Sequence, residues 1–213
     1  MGLFSAKVLE ETNSPINGKI TVLKSFGFGT YIQVGDLTQS GGIVYDVWKA
    51  SLGKTRKLKH DVQDALILGL GGGTNAQVIR EYWPIAQVTG VDIDPVMVEM
   101  GKKYMGLKEV KTVIQDAFDF TAGEIEGNKK YDLILVDTYL GDTFPEKFAS
   151  DAFLNRVKKL LVPHGIVVFN RLYYDQKRPQ AMKFGAKLEK FFSKVVYVFP
   201  EANLMLLCYN DTA

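Results

Sequence analysis

Five short apolar runs constrain the fold of this chain more than any other feature of its sequence. They lie at residues 65–68, 88–91, 110–114, 133–136 and 166–169. Most of them lack polar alternation, which is typical of strands covered by helices on both faces of a parallel sheet. Between the runs, apolar residues recur at helical spacing, as at Ala76, Ile79 and Trp83. This alternation predicts an α/β fold with a mostly parallel sheet.

Two further apolar runs close the chain, at residues 195–199 and 204–208, with a short turn between them. A closing hairpin after five strand–helix units predicts a Rossmann-like sheet of seven strands, one of them reversed, with helices on both faces. The single cysteine, Cys208, lies in the last run, where a buried and inert thiol is expected. A lone cysteine forms no internal disulfide, which favours a reducing compartment.

The first 60 residues have a different pattern. Runs at 19–23 and 30–34 flank Gly27 and Gly29 and predict a β-hairpin, and residues 42–52 show helical apolar spacing. We therefore expect a small N-terminal β-rich region with a connecting helix over residues 1–60, followed by a Rossmann-like domain over residues 61–213. The free edge of the hairpin leaves a homodimer open.

Net charge decides little about the function of this chain, whereas the histidine count and the apolar runs bear on metal and membrane classes. The net charge is +2, and the densest basic stretch, at residues 54–59, is better interpreted as a solvated surface than as a nucleic-acid site. His60 and His164 are too few and too isolated for a metal cluster. No apolar run approaches the roughly 20 residues of a membrane span, and no signal peptide is recognisable. We expect a cytoplasmic protein without a membrane partner, and the sequence carries no clear signal for nucleic acid.

The first strand of the alternation ends in a glycine-rich turn. Gly69, Gly71 and Gly73 stand directly before a helix. Glycines let the backbone turn sharply and let a ligand approach the main chain without a side chain in the way. The free amides at the start of the helix favour an anionic or polar group.

Acidic residues follow the next two strands. The second strand ends at Asp92 and Ile93, where a carboxylate can accept hydrogen bonds from ribose hydroxyls. Asp94 is expected to cap the helix that begins at the next residue, a proline. Asp116 and Ala117 follow the third strand and suit the edge of an adenine. Because the carboxyl ends of parallel strands meet at one edge of a sheet, the three features together predict a nucleoside site.

The spacing of the turn narrows the choice of nucleoside. A dinucleotide fingerprint requires a third glycine where this chain has Thr74, and a phosphate-binding Walker loop requires a lysine that the turn lacks. S-adenosylmethionine carries no phosphate and needs only acids for its ribose and adenine. It therefore suits these residues best.

Segments 68–74, 91–95, 115–117 and 131–137 together resemble class I S-adenosylmethionine-dependent methyltransferases, particularly the spermidine synthase-like group. The resemblance spans about residues 35–210. It implies S-adenosyl-L-methionine, or its decarboxylated form, as the cofactor, and a glutamine, Gln39, that reaches it. It also implies that Asp137 borders the cofactor and takes a proton from the acceptor. Asp142 could supply a second catalytic carboxylate or merely cap its loop. Tyr139, Tyr173 and Tyr174 could form an acceptor wall or be ordinary surface or core tyrosines.

The chain departs from spermidine synthases at several positions that bind amines. Gly72 stands where they carry an aspartate for the amine of the decarboxylated cofactor, and Leu140 stands where a second acid is expected three residues after Asp137. Because carboxylates hold cationic amines, these losses argue against a polyamine substrate. We predict a methyltransferase with a small-molecule acceptor. An aminopropyltransferase that uses Asp46 or Asp142, and a non-catalytic nucleoside-binding scaffold, stay open.

Overall fold

A computed structural model describes residues 6–210 and shows two β-sheets. The smaller one is an antiparallel sheet of four consecutive strands: β1(Lys7–Ser14), β2(Gly18–Ser25), β3(Gly29–Val34) and β4(Leu37–Gly41). The sequence pattern predicts the hairpin of β2 and β3 but not the two outer strands. β1 is missed because six of its eight residues are polar or charged, so the strand carries almost no apolar signal.

The larger sheet has seven strands in the order β10-β11-β9-β8-β5-β6-β7. Its elements are α1(Ile43–Leu58), β5(Asp64–Leu68), α2(Thr74–Tyr82), β6(Gln87–Asp92), α3(Pro95–Tyr104), β7(Val110–Ile114), α4(Ala117–Glu126), β8(Tyr131–Val136), α5(Asp151–Leu160), β9(Leu161–Leu172), α6(Lys177–Leu188), β10(Lys194–Val198) and β11(Asn203–Tyr209). Only β11 is reversed, since it pairs antiparallel with both β9 and β10. The predicted Rossmann-like fold is confirmed.

The strand order reverses beside β5. The chain moves from β5 to β6 and β7 on one side, then returns to β8 and β9 on the other. In open α/β sheets, a crevice forms outside the carboxyl ends of the strands at such a reversal. The topology therefore places a crevice at the turns that follow β5, β6, β7 and β8.

Two apolar cores sandwich the larger sheet. Leu66 and Leu68 of β5 face the core that α4, α5 and α6 cover, while Ala65 and Ile67 face the core that α1 and α2 cover. Every one of these side chains is fully buried. Each buried leucine or isoleucine contributes about 1.5–3 kcal/mol, so β5 is a rigid support for the turn that follows it. The domain boundary expected between residues 60 and 61 stays a prediction.

The small sheet is fixed to the larger domain through α3. Ile20, Val22 and Ile32 form one apolar cluster with two methionines of α3. Asp94 caps α3 by accepting hydrogen bonds from two backbone amides, as predicted, and its other oxygen accepts from Ser14 Oγ at 2.5 Å. The small sheet thereby reaches the edge of the crevice.

Three further observations concern the described residues 6–210. No helix there is both long and apolar enough to cross a bilayer. No group of three or more His, Cys, Asp or Glu side chains is arranged to hold a metal ion in that part of the chain. Cys208 is buried, and burial raises the pKa of its thiol, which keeps the sulfur unreactive.

Candidate active site

A cavity opens at the carboxyl ends of β5, β6, β7 and β8, where the strand order reverses. We call it the first cavity. β4 and α1 supply the wall opposite the strand ends. The sequence-predicted residues that line it are Gln39, Gly69, Gly71, Asp92, Ile93, Asp116, Ala117 and Asp137. Gly73 does not line it and instead is the N-cap residue before α2, in a left-handed conformation with φ at 90°.

The glycine turn is held by close contacts on both sides. A Cβ on Gly69 would lie 2.2 Å from the carbonyl oxygen of Asp137, so only glycine fits there. The amide of Gly71 donates a 2.7 Å hydrogen bond to Asp92 Oδ2. The amide of Gly72 donates a 2.7 Å hydrogen bond to Ser40 Oγ on β4. The turn is therefore fastened to the end of β6 and to the small sheet at once.

Asp92 is part-buried at the end of β6. Its Oδ1 accepts a hydrogen bond from the amide of Asp94 at 2.9 Å, besides the bond from Gly71 to Oδ2. Burial raises the pKa of this carboxyl, and the backbone donors oppose that shift. Each carboxylate oxygen has a second lone pair, so the side chain keeps capacity to accept from a ligand hydroxyl.

Asp116 caps α4 and carries an ion pair. Its Oδ1 accepts a hydrogen bond from the amide of Phe118 at 2.8 Å. Its Oδ2 pairs with the ammonium of Lys147, which lies on a 3-10 turn at Glu146–Ala149 and also lines the first cavity. The carboxylate expected to meet an adenine amine thus faces a cation that the sequence pattern does not predict.

Asp137 directly follows β8 and lines the first cavity. Its Oδ1 accepts a 2.8 Å hydrogen bond from Asn170 Nδ2, and its Oδ2 accepts a 3.3 Å hydrogen bond from Trp48 Nε1. Burial, helped by the negative charge of Asp92, raises the pKa of this carboxyl to about 6, although both hydrogen bonds act to lower it. A carboxylate with such a pKa suits proton transfer near neutral pH.

A second cavity adjoins the first. Gln39, Val44, Asp137 and Tyr139 line both cavities, so the carboxylate of Asp137 stands in the shared wall. The other residues that line the second cavity are Leu37, Thr38, Ile43, Val47, Gly141, Asn170, Leu172, Tyr174, Ala202 and Asn203. Two adjoining cavities with one carboxylate between them can hold two reactants side by side.

Asp142 is not brought to this site. It is exposed, lines neither cavity, and pairs with Lys177 at 2.8 Å. The hydrogen bond and charge of Lys177 lower the pKa of this carboxyl. The structure therefore gives no support to Asp142 as a second catalytic carboxylate, because the loop turns its side chain to solvent and to α6.

Sequence reasoning missed three polar residues of the site. Asn170 stands at the end of the apolar run of β9, and the rule that ligands gather at the carboxyl ends of strands could have found it. Trp48 has the spacing of an ordinary core residue of α1. Lys147 lies in a loop after β8 with no pattern around it, so nothing in the sequence pointed to it.

Comparison with known proteins gives a consistent family. The family model described as "Spermine/spermidine synthase domain" matches residues 50–207. A curated Drosophila melanogaster protein, "eEF1A lysine and N-terminal methyltransferase homolog", is 31% identical over 166 residues, which are 72% of this chain and 24% of the relative. A "Probable polyamine aminopropyl transferase" of Bifidobacterium longum (strain NCC 2705) is 33% identical over 129 residues, which are 61% of this chain and 28% of the relative. The chain thus spans about a quarter of the length of these relatives.

A solved structure shares the fold. The crystal structure of human methyltransferase-like protein 13 in complex with SAH matches with a TM-score of 0.63 at 24% sequence identity, and it covers 79% of this chain and 80% of that one. At this identity the match establishes the architecture alone. The curated relatives divide between methyl transfer and aminopropyl transfer.

Proposed function

Since this chain belongs to the spermine/spermidine synthase family of S-adenosylmethionine-dependent transferases, we propose that it transfers a methyl group to an amine held in the second cavity. The observation that carries this proposal is the position of Asp137 in the wall between two adjoining cavities. One cavity suits the donor, the other suits the acceptor, and the carboxylate reaches both.

The residues of the first cavity fit S-adenosylmethionine. Asp92 would hold the ribose, Asp116 and Ala117 the adenine, and Gln39 the amino-acid end. The hydroxyl of Thr138 lies in the cavity wall, is buried, and has no hydrogen-bond partner among the described residues. A buried hydroxyl without a partner costs free energy, which a polar ligand would recover. The complex of a fold relative with SAH supports the same assignment.

Gly72 favours methyl transfer over aminopropyl transfer. A Cβ at this position would lie 2.8 Å from Ile32 Cδ1 and 2.9 Å from Ser40 Cβ. An aspartate in the turn would therefore have to push the small sheet away. Without that acid the turn has no carboxylate for the free ammonium of a decarboxylated cofactor, whereas an intact amino-acid end carries its own carboxylate.

The second cavity also argues for a simple acceptor. Asp137 is the one carboxylate that lines it among the described residues, and the remaining wall is apolar, amide, phenolic or, at Thr38, hydroxyl. A polyamine carries several positive charges, each of which needs an acidic partner when it leaves water. An acceptor with a single amine on an apolar body fits this wall better.

Each residue at the shared wall has a separate task. The cofactor supplies a methyl group already activated on a sulfonium. Asp137 takes up the proton that the acceptor nitrogen loses, and Trp48 and Asn170 hold its carboxylate in place. Leu37, Val44 and other apolar residues of the second cavity keep water away from the nitrogen, so orientation and exclusion of water account for most of the acceleration.

Transfer from labelled donors tests this function. The chain is incubated with a mixture of small monoamines and diamines and either methyl-labelled S-adenosylmethionine or aminopropyl-labelled decarboxylated S-adenosylmethionine. We expect label in a monoamine product from the intact donor alone, and loss of transfer in Asp137→Asn. Transfer from the decarboxylated donor alone would establish an aminopropyltransferase instead. Calorimetry that shows no heat with either donor or with S-adenosylhomocysteine would favour a non-catalytic scaffold.

A further inference from the structure

Two asparagines connect Asp137 to the far side of the second cavity. Asn170 lies on β9 and Asn203 begins β11, and the two strands pair antiparallel with Asn203 opposite Leu172. Asn203 Nδ2 donates a 2.7 Å hydrogen bond to Asn170 Oδ1. Asn170 Nδ2 in turn donates a 2.8 Å hydrogen bond to Asp137 Oδ1. All three side chains line the second cavity.

The direction of these bonds has a chemical consequence. A carboxamide has one end that only accepts and one end that only donates. Because Asn203 donates to the oxygen of Asn170, the amino end of Asn170 must face Asp137. A donor beside a carboxyl stabilises its ionised form, whereas an acceptor in the same place stabilises its protonated form. Asn203 therefore decides which end of Asn170 the carboxyl meets, although it never contacts Asp137 itself.

Trp48 completes the arrangement on the other oxygen. Its indole N–H is a donor in every state and lies 3.3 Å from Asp137 Oδ2. Within the described part of the chain, Asn170 is thus the one direct side-chain partner of Asp137 whose hydrogen-bonding polarity can reverse. The backbone holds Asn203 in place, since its amide bonds to the carbonyl of Pro200 at 3.0 Å at the turn before β11.

Given the proposed function, on which this inference rests, we propose that Asn203 is a positioning residue. It acts through Asn170 and thereby presents Asp137 as an unprotonated base to the acceptor in the second cavity. The remaining ionisable side chains that line the two cavities are Asp92, Asp116, Tyr139, Lys147 and Tyr174. Asp92 opposes ionisation of Asp137 through its charge. The side-chain amides of Asn170 and Asn203 therefore favour the ionised form of Asp137, whereas burial and the charge of Asp92 favour the protonated form.

The test is a direct titration of Asp137. Aspartate labelled with ¹³C at the carboxyl is followed by NMR from pH 4 to pH 8, and the signal of Asp137 is assigned by its absence in Asp137→Asn. Asn203→Leu frees Asn170 to turn, and we expect it to raise the pKa of Asp137 by roughly one unit. Asn203→Asp can only accept, so it draws the amino end of Asn170 to itself and turns the oxygen toward Asp137. We expect the larger rise there, about two units.

Matched controls separate this effect from others. Asn128→Asp places the same new charge at an exposed position after α4 and should leave the titration of Asp137 unchanged. Asn203→Leu adds no charge. A raised pKa of Asp137 in this variant therefore shows that the rise in Asn203→Asp does not come from charge repulsion alone. Each variant is compared only if its affinity for S-adenosylhomocysteine, measured by calorimetry, matches that of the parent. Should Asn203→Leu fail to fold, Asn203→Ala removes the same donor.

The outcomes distinguish this proposal from the proposed function. A raised pKa in the Leu and Asp variants supports the role of Asn203, even if no acceptor is methylated. With a methylated acceptor in hand, the acid limb of the kcat profile should move to higher pH by the same amount, and the KM for the donor should stay constant. An unchanged titration of Asp137 in both variants would overturn the role of Asn203 while leaving the transferase assignment intact.

Discussion

Replacing Asp137 with asparagine should abolish transfer and yet stabilise the fold at alkaline pH. Asp137 has a pKa of about 6 in the folded protein against an ordinary value of 3.8. The folded state therefore prefers the protonated carboxyl. Stability from this preference is present in full below the unfolded pKa, is lost as the pH rises through the folded pKa, and is absent at pH 8.

The magnitude follows from the two pKa values. Their difference corresponds to about 3 kcal/mol for holding the ionised carboxylate in the folded protein. Asparagine removes this cost. Asn170 and Trp48 donate to different oxygens of Asp137, and asparagine places an NH2 group at one of these two positions, so one donor loses its acceptor. Losing one of these hydrogen bonds costs about 1 kcal/mol, which leaves a net gain of about 2 kcal/mol at pH 8. For a chain of this length that gain raises the Tm by about 4–8 °C.

Thermal unfolding of both proteins at pH 4 and pH 8 measures the effect. We expect Asp137→Asn to unfold at a higher temperature than the parent at pH 8 and at a similar or lower temperature at pH 4. Asp92 also has a raised pKa, but it is present in both proteins, so the effect of its own burial cancels and only its charge coupling to Asp137 differs between them. A variant that is less stable than the parent at both pH values would refute the idea that burial destabilises this carboxylate.

Three further perturbations test contacts around the first cavity. Gly72→Asp should lower the Tm and weaken binding of S-adenosylhomocysteine, because its side chain collides with Ser40; differential scanning fluorimetry and calorimetry measure both. Asp94→Ala should cost about 3 kcal/mol in urea unfolding at pH 7, since it removes a helix cap and leaves buried donors without partners. Lys147→Ala should lower the Kd for S-adenosylhomocysteine several-fold, because Asp116 then meets the adenine amine without a competing cation.

Each of these variants has a matched control. Gly123→Asp introduces the same side chain on α4, where a Cβ meets nothing within 4 Å. Asp119→Ala removes an exposed aspartate from the first turn of α4 and should cost only a few tenths of a kcal/mol. Lys177→Ala removes a lysine that pairs with the exposed Asp142 and should leave the Kd unchanged. If a control variant changes the measured quantity as much as its test variant does, the corresponding prediction is contradicted.

The alternation of strand and helix patterns in the sequence predicted most of the fold. The central strands are buried on both faces, so their side chains had to be uninterrupted apolar runs, and the structure has a strand at each run. β1 was not predicted, because an edge strand with one exposed face can consist largely of polar residues, here including Lys7, Glu10 and Glu11. Its position is fixed by pairing with β2 and not by its own pattern.

The site was predictable only where the main chain determines it. The glycine turn and Asp92 follow strands directly, so the topology brings them together. Asn170 and Asn203 meet because β9 and β11 are neighbours in the sheet, a pairing between residues 33 positions apart that no local spacing reveals. Lys147 approaches Asp116 through a loop with no periodic pattern. Tertiary contacts of this kind lie outside what a sequence pattern specifies.

A crystal structure with S-adenosylhomocysteine tests the central claim most directly. We expect adenosine to lie between Asp92 and Asp116 in the first cavity, with the sulfur pointing toward Asp137 and the opening of the second cavity. A ligand whose sulfur faces away from Asp137, or one that binds outside the first cavity, would contradict it.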